Sequence, residues 1–528
     1  MTGIADRRIA LAGLLAFAAL CLLFWPFVAD DAYIVGRYAR NAASGHGLVY
    51  NPGETISALT SPLHALYITV LAAFSDDPVN LGRALSPLFF LAGWIGAVRI
   101  ARLSGWRLAL LTAAMLGSPF AALWSVGGLE TPLLALWLSL YSGLLWRIGW
   151  SGTARTGELV ALGALCGLAF LTRFDSILVT LPPLLGLAAF WWRRPGVWAG
   201  AALALALAGA WLGFAHATYG DILPTSVYVK LGTDADPMGL SVIATLNFLI
   251  VSGLALCLVL IRPQGAAAGV QRALLAGCLL SGALFFAYAL RSAGVHMMFG
   301  NRFFVPYLAP LAFVLLALIR PGGLRPAVAA VLLANTGAAA WVQERGMNPS
   351  PVRLAHLNEP ELAMTTPSEY GRMIATLQEA AAQIRSDLET RDPPPERPSI
   401  FLYTGGMGYF LPEFYVYETL VSYRHDCPVT IVGQLHSAHY VQQFSVEPIN
   451  DFLEAVTARR TDLDRVPVTE AMVSFEGPNY VRYLYGAAPR EMVLPGMLHG
   501  ACRLPIVDPA LQPFLRVDVP PPEQEPRG

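Results

Sequence analysis

Long apolar runs recur along the first two thirds of the chain and are separated by short polar connections. A helix that crosses a lipid bilayer needs roughly 20 apolar residues, within a range of about 17–25. Most of the runs have about this length, so the pattern predicts a polytopic α-helical membrane protein. The eleven predicted spans cover residues 9–28, 83–101, 108–124, 131–147, 158–172, 176–192, 197–217, 241–261, 273–290, 303–319 and 325–342.

The charges in the connections predict the orientation in the membrane. If the N-terminus is cytoplasmic, every inner connection contains arginine, and only Glu158, at a helix edge, is acidic there. Cytoplasmic loops are enriched in Lys and Arg, so this sorting supports the orientation. Arg7 and Arg8 precede the first run, but no small-residue cleavage site follows it, which favours a retained helix over a signal peptide. An odd number of spans then places the C-terminal part on the outer face.

The charge density changes near Trp341. Residues 1–342 contain 20 basic and 12 acidic side chains, whereas residues 343–528 contain 15 and 24. We therefore predict two domains, a membrane domain over 1–342 and a water-soluble domain over 343–528. Over the whole chain only 13% of residues are charged, about half the share in a soluble globular protein, which excludes an ordinary soluble enzyme. The formal net charge of −1 offers no basic surface for nucleic acid.

The first outer loop is long and has the composition of a folded segment. It covers residues 29–82, far more than a simple connection needs. Its apolar stretch 62–74 is too short to span a bilayer, so we predict a helix that lies at the outer interface. Loops of this length with structure of their own are commonly functional sites, and this loop is where we expect the site.

The C-terminal part is predicted to be a mixed α/β domain. An amphipathic stretch over 368–391 indicates a helix, and residues 399–404 have the pattern of a strand. Gly405, Gly406 and Gly408 are expected to form turns. Cys427 and Cys502 either form a disulfide in an oxidising compartment or remain free thiols, because spacing alone does not show proximity. The four other cysteines fall in predicted spans, where packing is their expected role.

Two adjacent carboxylates, Asp30 and Asp31, follow the first span directly. Their mutual repulsion and a partly apolar surrounding raise the pKa of at least one of them, which suits a general base. The alternative is a helix-end charge pair that only sets the depth in the membrane. Other polar and aromatic candidates follow in the same loop, namely Tyr33, Arg37, Arg40, Asn51 and Glu54.

The later outer loops add an acid and several cations. Glu130 follows two glycines in a short connection, and the pattern fits either a ligand contact or a tight turn with a solvated carboxylate. Arg173 and Asp175 predict a local ion pair at the end of a span. Lys230 is the only lysine in the chain, and its compact ammonium suits a phosphate oxygen. The remaining candidates on this face are Asp221, His296 and Arg302.

Several function classes lack their sequence features. No nucleotide-binding glycine loop, zinc-ligand spacing or Ser-His-Asp order is present. A transporter or lipid flippase would be expected to carry ionisable residues near the bilayer midplane and symmetric halves, and the spans are almost free of ionisable groups. A scaffold that merely presents the soluble domain would not need an acid-bearing, folded first loop.

The motifs resemble the glycosyltransferases of the GT-C fold. DDAYIVGRYARNAASGHGLVYNPGE (30–54) resembles their first outer loop, in particular that of the mycobacterial terminal β-(1→2)-arabinofuranosyltransferase family and its Gram-negative relatives. Members commonly have proline where Phe174 stands, so LTRFDSIL is a partial match. The supporting motifs are SPLHALY (61–67), GGLETPL (127–133), LTRFDSIL (171–178), YGDILPTSVYVK (219–230) and NRFFVPYLAPL (301–311).

The resemblance implies an inverting sugar transfer from a polyprenyl-phosphate donor to a cell-envelope glycan, lipid or protein acceptor. It implies a multi-pass inner-membrane protein that acts on the periplasmic face, with its C-terminal domain on that side. Arabinofuranose is the first expectation for the sugar, and a hexosyl or aminosugar transferase acting on lipopolysaccharide or protein is the alternative. No cofactor or metal is predicted.

The resemblance also assigns roles to the candidate residues. It puts the general base on Asp30 or Asp31, with Asp30 preferred and Asp31 orienting it or sharing its proton. The cations expected at the donor phosphate are Lys230, Arg302, His296 and Arg37, and the expected substrate contacts are Glu130, Tyr33, Arg40, Asn51, Glu54 and Asp221.

Overall fold

The predicted apolar runs all form helices in the computed structural model. The structure describes residues 3–227, 238–261, 269–292, 300–347, 366–402, 405–418, 438–444, 463–466, 472–474 and 478–486. The helices of the membrane part are α1 (Ile4–Leu23), α2 (Asp31–Ala43), α3 (Pro62–Ala72), α4 (Pro78–Ala101), α5 (Gly105–Met115), α6 (Pro119–Val126), α7 (Thr131–Ser151), α8 (Thr156–Thr172), α9 (Ile177–Trp191), α10 (Pro195–Tyr219), α11 (Met238–Val251), α12 (Leu254–Leu258), α13 (Gly269–Ser292), α14 (Leu308–Leu318) and α15 (Leu324–Arg345).

Two of the predicted spans are interrupted. The run 108–124 forms α5 and α6, which meet at a bend of 51°. Pro119 opens α6 and the Ser118 side chain accepts a hydrogen bond from the Ala121 amide, so the sequence begins a new helix there. The run 241–261 breaks at Gly253, whose φ of 73° is in the left-handed region.

Fewer helices than eleven have the length of a full span. Within the described ranges, six helices are long and apolar enough to cross a membrane, and the bent pair α5–α6 would make a seventh. Two of the eleven predicted spans form shorter apolar helices, α8 and the segment Val305–Leu318 that includes α14. The multi-pass helical membrane fold is confirmed, while the number of crossings stays a prediction. Helix α3 lies within the long first loop, where a short interfacial helix was expected.

Glycines allow the membrane helices to pack closely, as their sequence suggested. At the crossing of α8 and α10, a Cβ on Gly163 would overlap the backbone of Gly200, and a Cβ on Gly200 would lie 2.5 Å from the carbonyl oxygen of Leu159. Small residues at such crossings bring helix backbones together in a bilayer, where apolar side chains alone provide little drive to associate.

The C-terminal part is a mixed α/β structure, as predicted. Its long helix α16 (Pro367–Thr390) begins at Thr366, and a reciprocal capping box links Thr366 with Glu369. Strand β1 pairs in parallel with β2 and β3, while β3 and β6 are antiparallel, and the order across the sheet is β2-β1-β3-β6-β4 with β5 on β6. The strands are β1 (Ser399–Leu402), β2 (Tyr415–Glu418), β3 (Tyr440–Phe444), β4 (Asp464–Arg465), β5 (Met472–Ser474) and β6 (Pro478–Tyr485).

The prediction of turns at the glycines after β1 is wrong. Residues Gly405–Phe410 form a short helix, α17. Its glycines are needed for close approach, because a Cβ on Gly408 would overlap the Tyr50 hydroxyl of the first outer loop. Cys427 and Cys502 lie outside the described residues, and the cysteines at 21, 166, 257 and 278 are free thiols.

The first outer loop packs directly against the C-terminal part, and a buried arginine lies at the contact. The Arg37 side chain is 2% exposed. Its Nε donates to the Tyr50 carbonyl at 2.8 Å, and its two terminal nitrogens donate to the carbonyls of Gly408, Leu411 at 3.0 Å and Phe414 at 2.6 Å. One guanidinium therefore joins the first loop to the end of α17 and to the segment that follows it.

We expect Arg37→Ala to destabilise the protein strongly. The substitution removes a donor from four buried carbonyl oxygens. The Tyr50 and Leu411 carbonyls keep a second donor, from Asn41 and from the Phe414 amide, and an unsatisfied buried polar group costs about 1–3 kcal/mol. A loss of about 3 kcal/mol should appear as a lower Tm of the purified protein in detergent. Arg40→Ala is the matched control, since Arg40 is only partly buried and makes fewer contacts. Equal Tm values for the two variants would contradict this account.

Candidate active site

Three distant motifs meet at one end of the helices. Asp31 opens α2, and its Oδ2 accepts a hydrogen bond from Nη1 of Arg302 at 2.8 Å. The other terminal nitrogen of Arg302 lies 3.9 Å from Oε1 of Glu130. The Arg302 guanidinium also lies over the Trp124 ring, 5.6 Å from its centroid. Asp31, Glu130 and Arg302, all three predicted from the sequence, therefore form one cluster.

Sharp backbone turns orient the side chains of Glu130 and Arg302. Glu130 directly precedes α7 and follows Gly128, whose φ of 87° is in the left-handed region. Arg302 follows Gly300 and Asn301, which both have positive φ. The residues before each side chain thus turn the backbone sharply at the end of an apolar segment.

Glu130 is buried and ionised. Burial alone would raise the pKa of its carboxyl, but Arg302, Arg173 and His64 outweigh burial and lower the pKa to about 2. Arg173 contributes an ion pair to Glu130 at 3.0 Å and a second to Asp175 at 2.6 Å, which confirms the predicted local pair. The turn with a solvated carboxylate, one of the two interpretations of the sequence, does not describe this 4% exposed residue.

Asp30 has a different surrounding from Asp31. Its Oδ2 accepts a hydrogen bond from the Gly405 amide at 2.7 Å, and its Oδ1 accepts one from the Gly406 amide at 2.6 Å. Burial and the neighbouring Asp31 charge raise the pKa of the Asp30 carboxyl to about 6, although the two amides act in the opposite direction. The Asp31 side chain, in contrast, is 51% exposed.

Four other candidates of the first loop contact the C-terminal part together with Arg37. Asn51 donates to the Val416 carbonyl and accepts from its amide, and Glu54 accepts from the Tyr415 hydroxyl. Tyr33 packs against Tyr409 and Phe410, and Arg40 lies over the Tyr409 ring, 3.6 Å from its centroid. All these side chains were predicted to contact the donor or the acceptor. Their partners here are protein groups, so their observed role is to join the loop to the C-terminal part.

The remaining predicted residues lie further along the chain. Asp221 is in the connection after α10, where its Oδ1 accepts from the Leu223 amide. The same connection is tied to the first loop, because the Thr225 amide donates to the Ser57 carbonyl at 2.8 Å. Lys230 and His296 lie outside the described residues.

Sequence reasoning did not identify several members of the site. His64 was quoted only as part of a motif, yet its Nε2 donates to the Gly128 carbonyl at 3.2 Å, and burial lowers the pKa of its ring. Trp124 was assigned to a span, and Tyr370, whose hydroxyl accepts from the Asp30 amide at 3.4 Å, to an amphipathic helix. None of these positions has a local pattern that separates it from a packing residue.

Several buried donors of the cluster have no partner among the described residues. They are Nε of Arg302, the side-chain amide nitrogen of Asn301, and the hydroxyls of Thr131 and Tyr307. An unsatisfied buried donor is costly, so each of these groups is a candidate to donate to a bound ligand or to water. All four lie within two residues of Glu130 or five of Arg302.

An apolar cavity adjoins the cluster. It has a volume of about 540 Å³, and Phe304 and Tyr307, the residues that follow Arg302, are part of its wall. Helices α7, α9, α13 and α14 contribute most of the rest, including Tyr141, Val179 and Phe285. In the described part of the chain, no group of three or more His, Cys, Asp or Glu side chains is arranged to hold a metal ion.

The fold and the cluster define the class of this protein: a polytopic helical membrane protein of the GT-C fold, with a charged site at one end of its helices. Two solved structures of ArnT from Cupriavidus metallidurans share the fold. The structure bound to undecaprenyl phosphate covers 90% of this chain and 98% of its own, with a TM-score of 0.54 and 14% identity. The apo structure covers 91% and 98%, with a TM-score of 0.55 and 16% identity.

Curated relatives point to the family that the motifs resembled. The terminal β-(1→2)-arabinofuranosyltransferase of Corynebacterium glutamicum is 35% identical over 160 residues, which is 29% of this chain and 23% of that protein. The enzyme of the same name from Mycobacterium tuberculosis is 30% identical over 248 residues, 41% of this chain and 38% of that protein. The aligned chain thus spans between a quarter and two fifths of these relatives. No family model matches the chain.

We expect Glu130→Gln to weaken the fold and to remove part of its acid sensitivity. Because the pKa of Glu130 is lowered from 4.5 to about 2, its charge stabilises the protein above pH 4.5, and this contribution is lost as the pH falls toward 2. The shift corresponds to a contribution on the order of 3 kcal/mol. Thermal unfolding of the variant should show a lower Tm at pH 7 and a smaller decrease in Tm on acidification.

Glu158→Gln is the matched control for this measurement. Glu158 also pairs with an arginine, Arg147, but the Arg147 side chain is 32% exposed. Exposed pairs contribute about 0–1 kcal/mol, so this Tm should change little. An equal or larger effect of Glu158→Gln would contradict the assignment of the strong ion pair to Glu130.

Proposed function

We propose that this protein is an inverting glycosyltransferase that moves a sugar from a polyprenyl-phosphate donor to a cell-envelope acceptor. The observation that carries the proposal is the contact of Asp31 with Arg302 at 2.8 Å, with Asp30 adjacent. It brings a pair of carboxylates and a partly unsatisfied cation together beside an apolar cavity. The acceptor has to lose a proton and the donor phosphate has to be stabilised, and the cluster contains a group for each task.

Asp30 is the proposed general base. A carboxylate that takes the proton of an acceptor hydroxyl works best when its pKa is near the working pH, and the pKa of Asp30 is raised to about 6. Its two amide contacts occupy two of the roughly four acceptor positions of a carboxylate, so capacity remains for the acceptor hydroxyl. Asp31 orients Arg302 and keeps the pKa of Asp30 high.

Arg302 is the proposed ligand of the donor phosphate. As the bond to the sugar breaks, the departing lipid phosphate gains negative charge, and a cation already aimed at it stabilises the transition state more than the ground state. The Nε of Arg302 has no partner in the described chain, and neither do the donors of Asn301 and Tyr307. Lys230 and His296 remain predicted phosphate ligands.

The lipid chain of the donor fits the apolar cavity. Phe304 and Tyr307 line this cavity and follow Arg302 closely in the chain, so we infer that a phosphate at the guanidinium would place its isoprenoid chain among apolar walls. The ArnT structure bound to undecaprenyl phosphate supports a donor of this chemical class.

The transfer is proposed to proceed in one step. The acceptor oxygen attacks the anomeric carbon as Asp30 takes its proton, and the bond to the polyprenyl phosphate breaks with its electron pair on the phosphate. One carboxylate base suffices for such an inversion, whereas double displacement needs a carboxylate nucleophile. The names of the two curated relatives support arabinofuranose as the sugar. The site is proposed to face the periplasm of a bacterial inner membrane.

We expect Asp30→Asn to lose transfer activity by about 100- to 10,000-fold, the usual contribution of a general base. Membranes containing the protein would be supplied with radiolabelled polyprenyl-phosphate arabinofuranose, and label would be followed into polymer and protein fractions. Asp31→Asn should lose only about tenfold, because it removes a partner of Arg302 and not the base. In the wild type, kcat/KM should decrease below about pH 6, where Asp30 becomes protonated.

The outcomes of this experiment test the sugar, the lipid donor and the role of the first loop separately. Transfer from a hexose- or aminosugar-linked lipid, but not from the arabinofuranose donor, would keep the mechanism and replace the sugar. Transfer from no lipid donor by well-expressed wild type would overturn the proposed function. Full activity of both Asp30→Asn and Asp31→Asn would remove the first loop from the chemistry.

We also expect Gly282→Phe to impair the use of a long-chain donor. Gly282 lines the cavity, and the position of its Cβ is open, so a phenyl ring can enter without displacing the backbone. The KM for a long polyprenyl donor should rise about tenfold, while a donor with a short isoprenoid chain should be used as before. Gly209→Phe on α10, whose Cβ position is equally open but outside the cavity, is the control. Equal effects on the long and the short donor would contradict a tail in this cavity.

A further inference from the structure

The C-terminal part contacts the proposed base itself. Both oxygens of the Asp30 carboxylate accept backbone N–H groups, from Gly405 at 2.7 Å and from Gly406 at 2.6 Å. These amides open α17, which belongs to the part of the chain predicted to be a separate soluble domain. The two partners are 375 and 376 residues from Asp30 in sequence.

We propose that the amides of Gly405 and Gly406 are positioning groups of the active site, so that the C-terminal part completes the site and is not an appended module. This inference rests on the proposed function for its catalytic meaning. Two parallel N–H groups hold the plane of the carboxylate in one orientation, and a base has to be aimed at the acceptor hydroxyl to within a fraction of an ångström to be effective.

The two glycines are suited to this role by their lack of a side chain. A Cβ on Gly406 would lie 2.8 Å from Oδ1 of Asp30, and a Cβ on Gly405 would overlap the Ile34 side chain of α2. Neither glycine has a positive φ, so backbone conformation does not require them. It is the close approach of α17 to the start of α2 that requires glycine at both positions.

Other contacts fix α17 against the first loop. Arg37 donates to the carbonyls of Gly408 and Leu411 at the end of α17, and the Tyr409 hydroxyl donates to Oδ1 of Asp77 at 3.2 Å. The amides are therefore held by contacts at the other end of the same short helix. The position of Asp30 depends on the seating of the whole C-terminal part.

The charged and titratable groups around Asp30 are few. Asp31 lies next to it on α2 and raises its pKa, while Tyr370 of α16 and Tyr33 of α2 face it. Arg302 contacts Asp31 and not Asp30. The two amides lower the pKa of Asp30, so their loss should raise it further and should leave the neighbouring charges in place.

The test substitutes alanine at two glycines of α17. Gly406→Ala places a methyl group against the Asp30 carboxylate, whereas Gly408→Ala places one against the Tyr50 hydroxyl of the same loop. The two variants make the same chemical change in the same helix at the same interface. Only the first places its methyl group against Asp30, whereas Gly408→Ala can reach Asp30 only through a displacement of α17. Gly408→Ala therefore measures the effect of loosening the interface.

The first measurement does not depend on activity. The Asp30 carboxyl of the purified protein would be titrated by infrared spectroscopy, with its band assigned by subtraction of the Asp30→Asn spectrum. We expect the pKa to be higher in Gly406→Ala than in the wild type, and to rise less in Gly408→Ala. An unchanged pKa in a folded Gly406→Ala variant, or an equal rise in both, would overturn the proposal.

The second measurement separates positioning from binding. With the polyprenyl-phosphate donor, Gly406→Ala should lower kcat by about 100-fold, leave the donor KM within about twofold, and move the acid limb of the pH profile upward. Gly408→Ala should move this limb less. If the wild type is active and the two alanine variants behave alike, the positioning role of the two amides is wrong and the proposed function stands. If the wild type is inactive and the infrared shift is as expected, the positioning of Asp30 by the amides stands and the proposed function is wrong.

Should Gly406→Ala fail to fold, Gly405→Ala provides the second variant. It places a methyl group against the Ile34 side chain, and this would displace the first amide of the pair. The same rise in the pKa of Asp30, at a Tm close to that of Gly408→Ala, would support the positioning role of the two amides. A wild-type pKa in this variant would count against it.

Discussion

The burial of Arg37 constrains the structure around the site. A guanidinium cannot be taken out of water unless its donors find acceptors, and this one finds them on both sides of the contact between the first loop and the C-terminal part. The loop supplies Tyr50, and the segment from Gly408 to Phe414 supplies the rest. Because the acceptors are backbone carbonyls, the arrangement depends on how the two chain segments are placed and tolerates little displacement of either. The amides that bind Asp30 are at the other end of the same short helix.

The cluster of Asp31, Glu130 and Arg302 follows the same rule, because its buried charge also needs partners. Glu130 is ionised although buried, because Arg173 and Arg302 lie beside it. Arg302 in turn contacts Asp31, which is exposed, and leaves its Nε without a partner among the described residues. The buried carboxylate therefore has its charge compensated, while Arg302 keeps an N–H group that can bind an anion.

The sequence supported some assignments of residues better than others. Apolar periodicity identified the helical runs, and the motifs around Asp31, Glu130 and Arg302 pointed to residues that the structure brings together. The same reasoning treated Arg37, Asn51 and Glu54 as substrate ligands, because a polar residue in a functional loop looks alike whether it binds substrate or another segment. Their partners lie more than 350 residues away. No local pattern contains that information.

Hydrophobicity and local order along the chain act over windows of about 20 residues. They were enough to predict the apolar runs, the change of composition near Trp341 and the family that the motifs resemble. The helix that starts at Gly405 and Gly406, in contrast, packs its amides against Asp30, more than 350 residues away in the chain. A glycine permits both a turn and a helix, so its neighbours in sequence do not select between them.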